Sequence, residues 1–371
     1  MTDMHLHDLD TPCLLIDREK LEANLAQVQG LATSAGKVLR PHAKSHKMAP
    51  IAHRQIRLGA VGITTAKLGE AEAFADAGIG DLLVCYPIVG RLKVQRLLAL
   101  SRRSKVMTAI DSLEACRRLG DAFSAEGRTH DVLVKVDAGF GRVGISWQAA
   151  ADLCAKVSSL PGIRLRGVCI HEGSTYGESD PEMRAGVARE QCERLVQVAD
   201  NVRDMGIAID IVSAGSTPGL AGDLSVDGIT EVRPGNYVFY DAMQAGLGVT
   251  SIDQCALTVL TRVVSTERHD GAICDAGAKS LSLDKGAHGN ETTSGHGIVV
   301  GHPGIEIEKL SEEHGWLRLS TEAGQSRLMG KTLRVIPNHA CPVANNFSEA
   351  WVIEGERVVD RWDVCARGAV T

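Results

Sequence analysis

The sequence predicts an α/β protein: a (β/α)8, TIM-like barrel followed by a β-rich domain. Three observations carry this expectation. From residue 17 to about 240, eight short apolar runs alternate with segments of helical periodicity. After Gly246 the pattern changes to short β-branched or aromatic runs separated by turn residues. The 371 residues include 39 glycines but only 4% aromatics, which suits many strand-to-helix turns better than an aromatic-rich sandwich.

The barrel strands are expected at 37–40, 61–65, 81–86, 105–110, 131–137, 164–171, 209–214 and 229–233. Parallel strands require crossovers, and eight strand–helix repeats point to a closed barrel. An open doubly wound sheet is the alternative. A helix is predicted over 18–33, where Leu21, Leu25, Val28 and Ala32 recur at three-to-four spacing. A second starts at Asp111, with Asp111 and Glu114 as a capping box and Leu113, Cys116 and Leu119 as the apolar stripe. A third spans 181–205, with Val187, Leu195, Val198 and Val202 on one side and Gly206 as the stop. In the second domain, strands are expected at 256–264, 272–275, 297–300, 316–320, 332–336 and 350–353, and the 11–17 run is expected to join them. The barrel domain is accordingly 18–245, and the β domain is 1–17 with 246–371.

Composition excludes some partners. A net charge of −6 gives no support for nucleic-acid binding or an anionic membrane surface. No apolar stretch approaches the ~18 residues of a membrane span, and residues 1–10 lack the basic-then-apolar pattern of a targeting leader. The ten cysteines form no CxxC pair, and Cys85, Cys169 and Cys274 lie in apolar runs, where they read as small buried hydrophobes. A reducing, cytoplasmic setting is expected.

The strongest chemical signal is Arg40-Pro-His-Ala-Lys44-Ser-His-Lys47 at the end of a predicted strand. Barrel enzymes place catalytic groups at the C-terminal ends of their strands. A lysine there can form a Schiff base with an aldehyde cofactor. On spacing alone, a basic surface turn is the competing reading.

The segment running from Thr11-Pro to Arg40-Pro-His-Ala-Lys44 resembles the start of the fold-type III pyridoxal-phosphate (PLP) enzymes, in the branch of D-threonine aldolases and D-serine dehydratases. The resemblance extends through Val134-Lys-Val-Asp-Ala-Gly-Phe-Gly-Arg142-Val-Gly144, His171-Glu-Gly-Ser-Thr-Tyr176 and Ser213-Ala-Gly-Ser-Thr-Pro218. Glu231-Val-Arg-Pro-Gly-Asn-Tyr-Val-Phe-Tyr-Asp241 and Pro337-Asn-His-Ala-Cys341 complete it in the same order. It implies an alanine-racemase-like barrel with PLP on Lys44 as the catalytic residue. Arg142, His171, Tyr176, Ser216, Thr217, Arg233, Gly235 and Asn236 are implied around the cofactor.

A phosphate needs backbone N–H donors, ideally at a helix start. Ser213-Ala-Gly-Ser-Thr-Pro-Gly219 offers small residues after an apolar strand, with Thr217 as a possible N-cap and Pro218 at the first helical position. By resemblance, Gly235 and Asn236 add donors. Arg233 corresponds to the arginine facing the pyridine nitrogen in alanine racemases; it cannot give that nitrogen a full proton, so the ring is a weaker electron sink than one paired with Asp. Tyr176 has a competing reading as a buried structural tyrosine, and Arg142 as a barrel salt-bridge partner.

His339-Ala-Cys341 is the second strong signal. Two ligands one residue apart on an extended segment point to the same side, and a Cys/His pair prefers zinc over magnesium or calcium. A buried Cys beside a surface His is the alternative. The resemblance implies zinc, as in the His-x-Cys of D-serine dehydratases, with manganese the alternative suggested by the His-x-Asp of D-threonine aldolases. His42, His46, His171, His288 and His314 are further candidates near the barrel mouth, and Lys47 reads as a solvated cation.

The implied reaction is elimination of water from a small β-hydroxy D-amino acid (D-serine, D-threonine or 3-hydroxy-D-aspartate), giving a 2-keto acid and ammonia. The alternative is retro-aldol cleavage to glycine and an aldehyde. A racemase needs a tyrosine base in the β domain, yet Tyr86, Tyr176, Tyr237 and Tyr240 all precede it. A non-catalytic PLP carrier is disfavoured by the β domain and its His-x-Cys pair. A homodimer is expected by resemblance.

Overall fold

The computed structural model describes residues 4–269, 271–286, 292–320 and 325–371. The chain divides into two compact units. One comprises residues 27–44, 49–235 and 368–371; the other comprises 1–26, 45–48 and 236–367.

The first unit is an eight-stranded parallel barrel. Its strands are Val38–Leu39, Ile63–Thr65, Asp81–Val84, Lys105–Ile110, His130–Lys135, Ile163–Cys169, Ile211–Ala214 and Glu231–Val232. From the second strand onward each pairs with the next in sequence, and the last pairs with the first. The ring is completed between the first and second strands by a parallel His42–Thr64 bridge. The Val61 and Thr64 amides add bonds to the Leu39 and Pro41 carbonyls at 2.9 and 2.8 Å. All eight expected strands are present, several shorter than their apolar runs, and the sheet is not the open doubly wound one. Leu83, Met107, Ala109, Leu133 and Cys169 pack together on the strands, with Cys85 and Ile211 against them. Such interior filling makes the barrel a core rather than a pore.

The helices show where local chemistry sets the ends. Helix Pro181–Asp204 begins with Asp180, whose carboxylate accepts from the Glu182 and Met183 amides, and with Pro at its first position. Helix Leu113–Ala125 is capped by Ser112, not by Asp111. The expected capping residue is diverted, because Asp111 Oδ2 accepts from the Gly144 amide at 3.1 Å.

One buried group in the barrel makes stability pH-dependent. His130 stacks on Phe123 with ring centroids 4.5 Å apart and lies 2.9 Å from Thr108 Oγ1. Burial lowers its pKa to about 4. The unfolded chain therefore binds this proton first as the pH falls. The contribution of the neutral ring is whole above about pH 6.5 and is lost from there down towards pH 4, to a limit of roughly 3 kcal/mol. Urea midpoints at pH 7 and pH 5 should separate more for the wild type than for His130→Gln; equal separations would show that His130 is not the group responsible.

The second unit is a nine-stranded sheet. Its order is Gly271–Cys274, Gly315–Leu319, Ile305–Leu310, Ile298–Val299, Thr332–Ile336, Leu257–Arg268, Cys13–Asp17, Glu349–Glu354 and Arg357–Asp363. Leu257–Arg268 also pairs with Gly271–Cys274, so six strands close into a ring. The opening run joins this sheet as expected, antiparallel to Leu257–Arg268 and parallel to Glu349–Glu354. Leu9, Cys13, Leu15, Leu260, Ile353 and Val358 pack beneath it. Two strands, Ile305–Leu310 and Arg357–Asp363, have no counterpart in the apolar-run reading. Both intersperse charged with apolar side chains along a half-solvated face, which breaks the run.

Candidate functional site

Lys44 lies in a short 3-10 turn, Ala43–Ser45, just past the C-terminal end of strand Val38–Leu39. The groups facing it in the barrel unit are nearly all cationic. His42 is held well below its ordinary pKa by burial first, then by Lys44, Arg233, His171 and Lys135. His171 is depressed in the same direction by burial, Lys44, Lys135 and Arg142. Two neutral imidazoles among four cations make a site suited to an anionic ligand. Lys135, Asp137, Phe140, Arg142 and His171 line a cleft. There the Arg142 guanidinium sits over the Phe140 ring, 4.9 Å from its centre, and Phe140 meets His171 edge-on. The Asp137 carboxylate is occupied by the amides of Gly139, Phe140 and Gly141.

Arg233 is buried and fixed. Its guanidinium donates to Ser213 Oγ and, at 2.5 Å, to the Ile170 carbonyl. Ser213 in turn donates to Glu231 at 2.6 Å, and Arg40 takes the other Glu231 oxygen at 2.7 Å. Glu231 is thereby engaged from two sides, and Arg233 keeps its charge beside Lys44 and His42.

The turn after strand Ile211–Ala214 approaches this arginine closely. Gly215 has φ +146°, and a Cβ there would stand 2.3 Å from the backbone nitrogen of Arg233, so only glycine fits. Ser216 and Thr217 are buried in this turn. Thr217 is not the helix cap that the sequence suggested: helix Leu220–Ser225 starts after Gly219. The reason is local, since Ser216 Oγ accepts from the Gly219 amide at 3.1 Å and closes a separate turn first. The Gly215 amide is also occupied, by the Glu172 carboxylate.

Cys85 departs from the inert hydrophobe expected. It is half-buried, and its sulfur accepts from Lys135 Nζ at 3.7 Å. A hydrogen bond from Cys169 is the largest influence holding its thiol low; Lys135, Arg233 and Lys44 add to it against burial. Cys169 is pushed up correspondingly. Lys47 is likewise buried, with Nζ 3.5 Å from the Ala366 carbonyl, rather than solvated.

In the β unit, His339 caps helix Ala340–Asn346 and Cys341 lies in its first turn, so the pair is not on the extended segment the sequence suggested. The helix start nonetheless brings imidazole and thiol into mutual hydrogen-bonding contact. His339 Nδ1 lies 2.8 Å from Asp284 Oδ2, which leaves Nε2 as the nitrogen that could hold a metal ion. Cys341 Sγ is 3.3 Å from Ser45 Oγ, on the residue that follows Lys44 in the chain. Asp241 is buried and accepts from the Ala340 amide at 2.9 Å and from Asn236 Nδ2 at 2.6 Å. Asn236 also reaches Cys341 Sγ at 3.9 Å. Its side chain thus belongs to the His339–Cys341 cluster, while Gly235 ends the last barrel segment. A thiol and a carboxylate-braced imidazole form a donor set suited to zinc. Asp284→Asn should weaken zinc affinity about 10- to 100-fold, read by competition with a chelating dye; unchanged affinity would show that the bracing is incidental.

Of the remaining candidates, Tyr176 is half-buried in the turn Gly173–Gly177. His46 is buried, with Nδ1 accepting from the Met48 amide. His314 lies in the β unit, its carbonyl accepting from Ser311. His288 falls outside the described residues. The residues missed from sequence were Lys135, Glu172 and Asp241, which stood inside the quoted motifs without a visible role. Asp284 carries no sequence signal at all.

A lysine at the mouth of a parallel barrel, in a cationic pocket beside a glycine turn that meets a buried arginine, defines a fold-type III PLP enzyme. The chain belongs to the alanine racemase N-terminal domain family, whose profile matches residues 16–242; the serine dehydratase domain profile follows over 256–353. The D-threo-3-hydroxyaspartate dehydratase of Delftia sp. (strain HT23) is 32% identical over 96% of this chain and 97% of its own length. The D-threonine aldolase of Arthrobacter sp. is 34% identical over 97% and 93%. Among solved structures, the D-threonine aldolase from Filomicrobium marinum superposes with a TM-score of 0.92 at 33% identity, covering 100% of this chain and 99% of that one. Structures also exist for two variants of the D-threo-3-hydroxyaspartate dehydratase. In one a histidine is replaced by alanine, and in the other a cysteine two positions further on; the cysteine variant is in a metal-free form. Among the described residues no helix is long and apolar enough to cross a membrane.

Proposed function

We propose that this protein is a PLP- and zinc-dependent lyase that removes water from a β-hydroxy D-amino acid, releasing a 2-keto acid and ammonia. The observation that carries the reading is the His339–Cys341 pair braced by Asp284, a sulfur-containing donor set of the kind that selects zinc. When bound, PLP supplies an aldehyde for the amino group and an electron sink for Cα, and a divalent metal supplies a Lewis acid.

The roles of the chain's own residues follow from their surroundings. Lys44 Nζ takes the Cα proton as general base. Arg233, locked by Ser213 and the Ile170 carbonyl, would be the residue beside the cofactor's ring nitrogen. His42 and His171 are kept neutral, so they can accept or donate a hydrogen bond without adding charge. Arg142 would provide a cation beside the cofactor, and the Ser216–Thr217 turn would provide donors for its phosphate. His339 Nε2 and Cys341 Sγ would hold the metal ion. A homodimer is expected.

Retro-aldol cleavage is the second reading, favoured by the 34% identity to a D-threonine aldolase. The two differ in products. Zinc-loaded protein incubated with D-serine, D-threonine or 3-hydroxy-D-aspartate should yield keto acid and ammonia in equal amounts. Glycine with an aldehyde from D-threonine would instead establish the aldolase.

A further inference from the structure

Glu172 has no part in the chemistry above, yet its setting is costly. It is fully buried, and among the described residues no ion pair includes it. Stripping water from a carboxylate without a cation partner is strongly unfavourable, and burial accordingly pushes its pKa up. What it makes instead is a hold on one amide. Both of its oxygens reach the Gly215 N–H, at 2.9 and 3.2 Å. Its carbonyl accepts from Thr175 Oγ1 at 2.6 Å, and Thr175 Oγ1 lies 3.2 Å from Ser216 Oγ, which accepts from the Gly219 amide. Residues 215, 216 and 219 are thus tied from behind to the segment 172–175. The tie fixes Gly215 in the positive-φ conformation that brings it against Arg233.

We propose that Glu172, with Thr175, is the positioning residue of the phosphate turn: it locks Gly215 and Ser216 so that the turn presents a preformed cradle to the 5′-phosphate. This rests on the PLP reading above. The locking is geometric and not electrostatic, since a negative charge behind the turn opposes an anion in front of it. A neutral acceptor in the same place should therefore serve as well. In Glu172→Gln the amide oxygen keeps the Gly215 bond, and the new NH2 finds acceptors nearby, because Glu172, Cys192 and Asp223 place side-chain atoms within 4.8 Å of one another.

The test compares two probes, PLP and pyridoxal, which lacks the phosphate, on full-length protein stripped of cofactor. Each is titrated by absorbance and by quenching of tryptophan fluorescence. In Glu172→Ala, PLP affinity should fall about 10- to 100-fold, the scale of one buried amide left without its acceptor, while pyridoxal affinity stays within about twofold of wild type. Glu172→Gln should restore the wild-type preference for PLP. Thr175→Val should reduce that preference several-fold and serves as the second variant if Glu172→Ala does not fold. Equal losses for both probes, or a preserved preference in Glu172→Ala and Thr175→Val, would overturn the proposal. A wild-type protein that binds neither probe would instead overturn the cofactor reading on which it stands.

Discussion

Replacing Lys44 with alanine is expected to lower turnover of a β-hydroxy D-amino acid by about 10⁴-fold or more. Two losses combine in this one substitution. The amine that links the cofactor covalently disappears, and so does the base that takes the Cα proton, a role worth about 10²- to 10⁴-fold by itself. The cationic surroundings remain: Lys135, Arg142 and Arg233 still act on His171 or His42. PLP should therefore still bind, now reversibly, and be removed by gel filtration where the wild type retains it. Exogenous small amines should recover part of the proton-transfer rate. Wild-type turnover in this variant would remove Lys44 from the mechanism and return it to the basic surface turn that spacing alone allows.

Removing either donor of the β unit is the second large expectation. Cys341→Ala and His339→Ala should each reduce bound zinc from about one ion per chain to a small fraction of that. Turnover should fall with it by about 10²- to 10⁴-fold, the several kcal/mol that a Lewis acid contributes to leaving-group stabilisation. The cofactor absorbance should stay close to its wild-type intensity, since Lys44, Lys135, Arg142 and Arg233, which act on His42 or His171, are unaltered. Cys341→Asp offers a finer measure. The harder carboxylate should shift preference from zinc towards manganese, so activity restored by manganese alone would identify the sulfur as the selector. Full zinc content in Cys341→Ala would show that the sulfur is not a ligand.

Several of these residues could be read from the sequence because their chemistry is local. Lys44 follows a strand within four residues of Arg40, and His339 and Cys341 stand one residue apart, so the chain itself supplies proximity. The eight barrel strands were legible for the same reason: an interior strand is apolar throughout, and its run is visible without a partner. Strands Ile305–Leu310 and Arg357–Asp363 were not, because their charged positions are acceptable only on the solvated face of a formed sheet. The helix caps failed on competition. Asp111 and Thr217 are good capping residues, but Asp111 is engaged by Gly144, and Ser216 closes a turn with Gly219 before the helix begins.

By itself the sequence determined the fold class and the order of the motifs, and it singled out the lysine and the thiol–imidazole pair to which the proposed function assigns the chemistry, since these signals lie in residues near one another in the chain. Only the tertiary structure decided what surrounds them. Cys85 meets Lys135 across 50 positions, Glu172 meets Gly215 across 43, and Asp284 meets His339 across 55. Contacts of that separation leave no periodicity or spacing to read. They arise only when closure of the barrel and the sheet brings distant strand ends together, and there desolvation and fixed neighbours assign each group its charge.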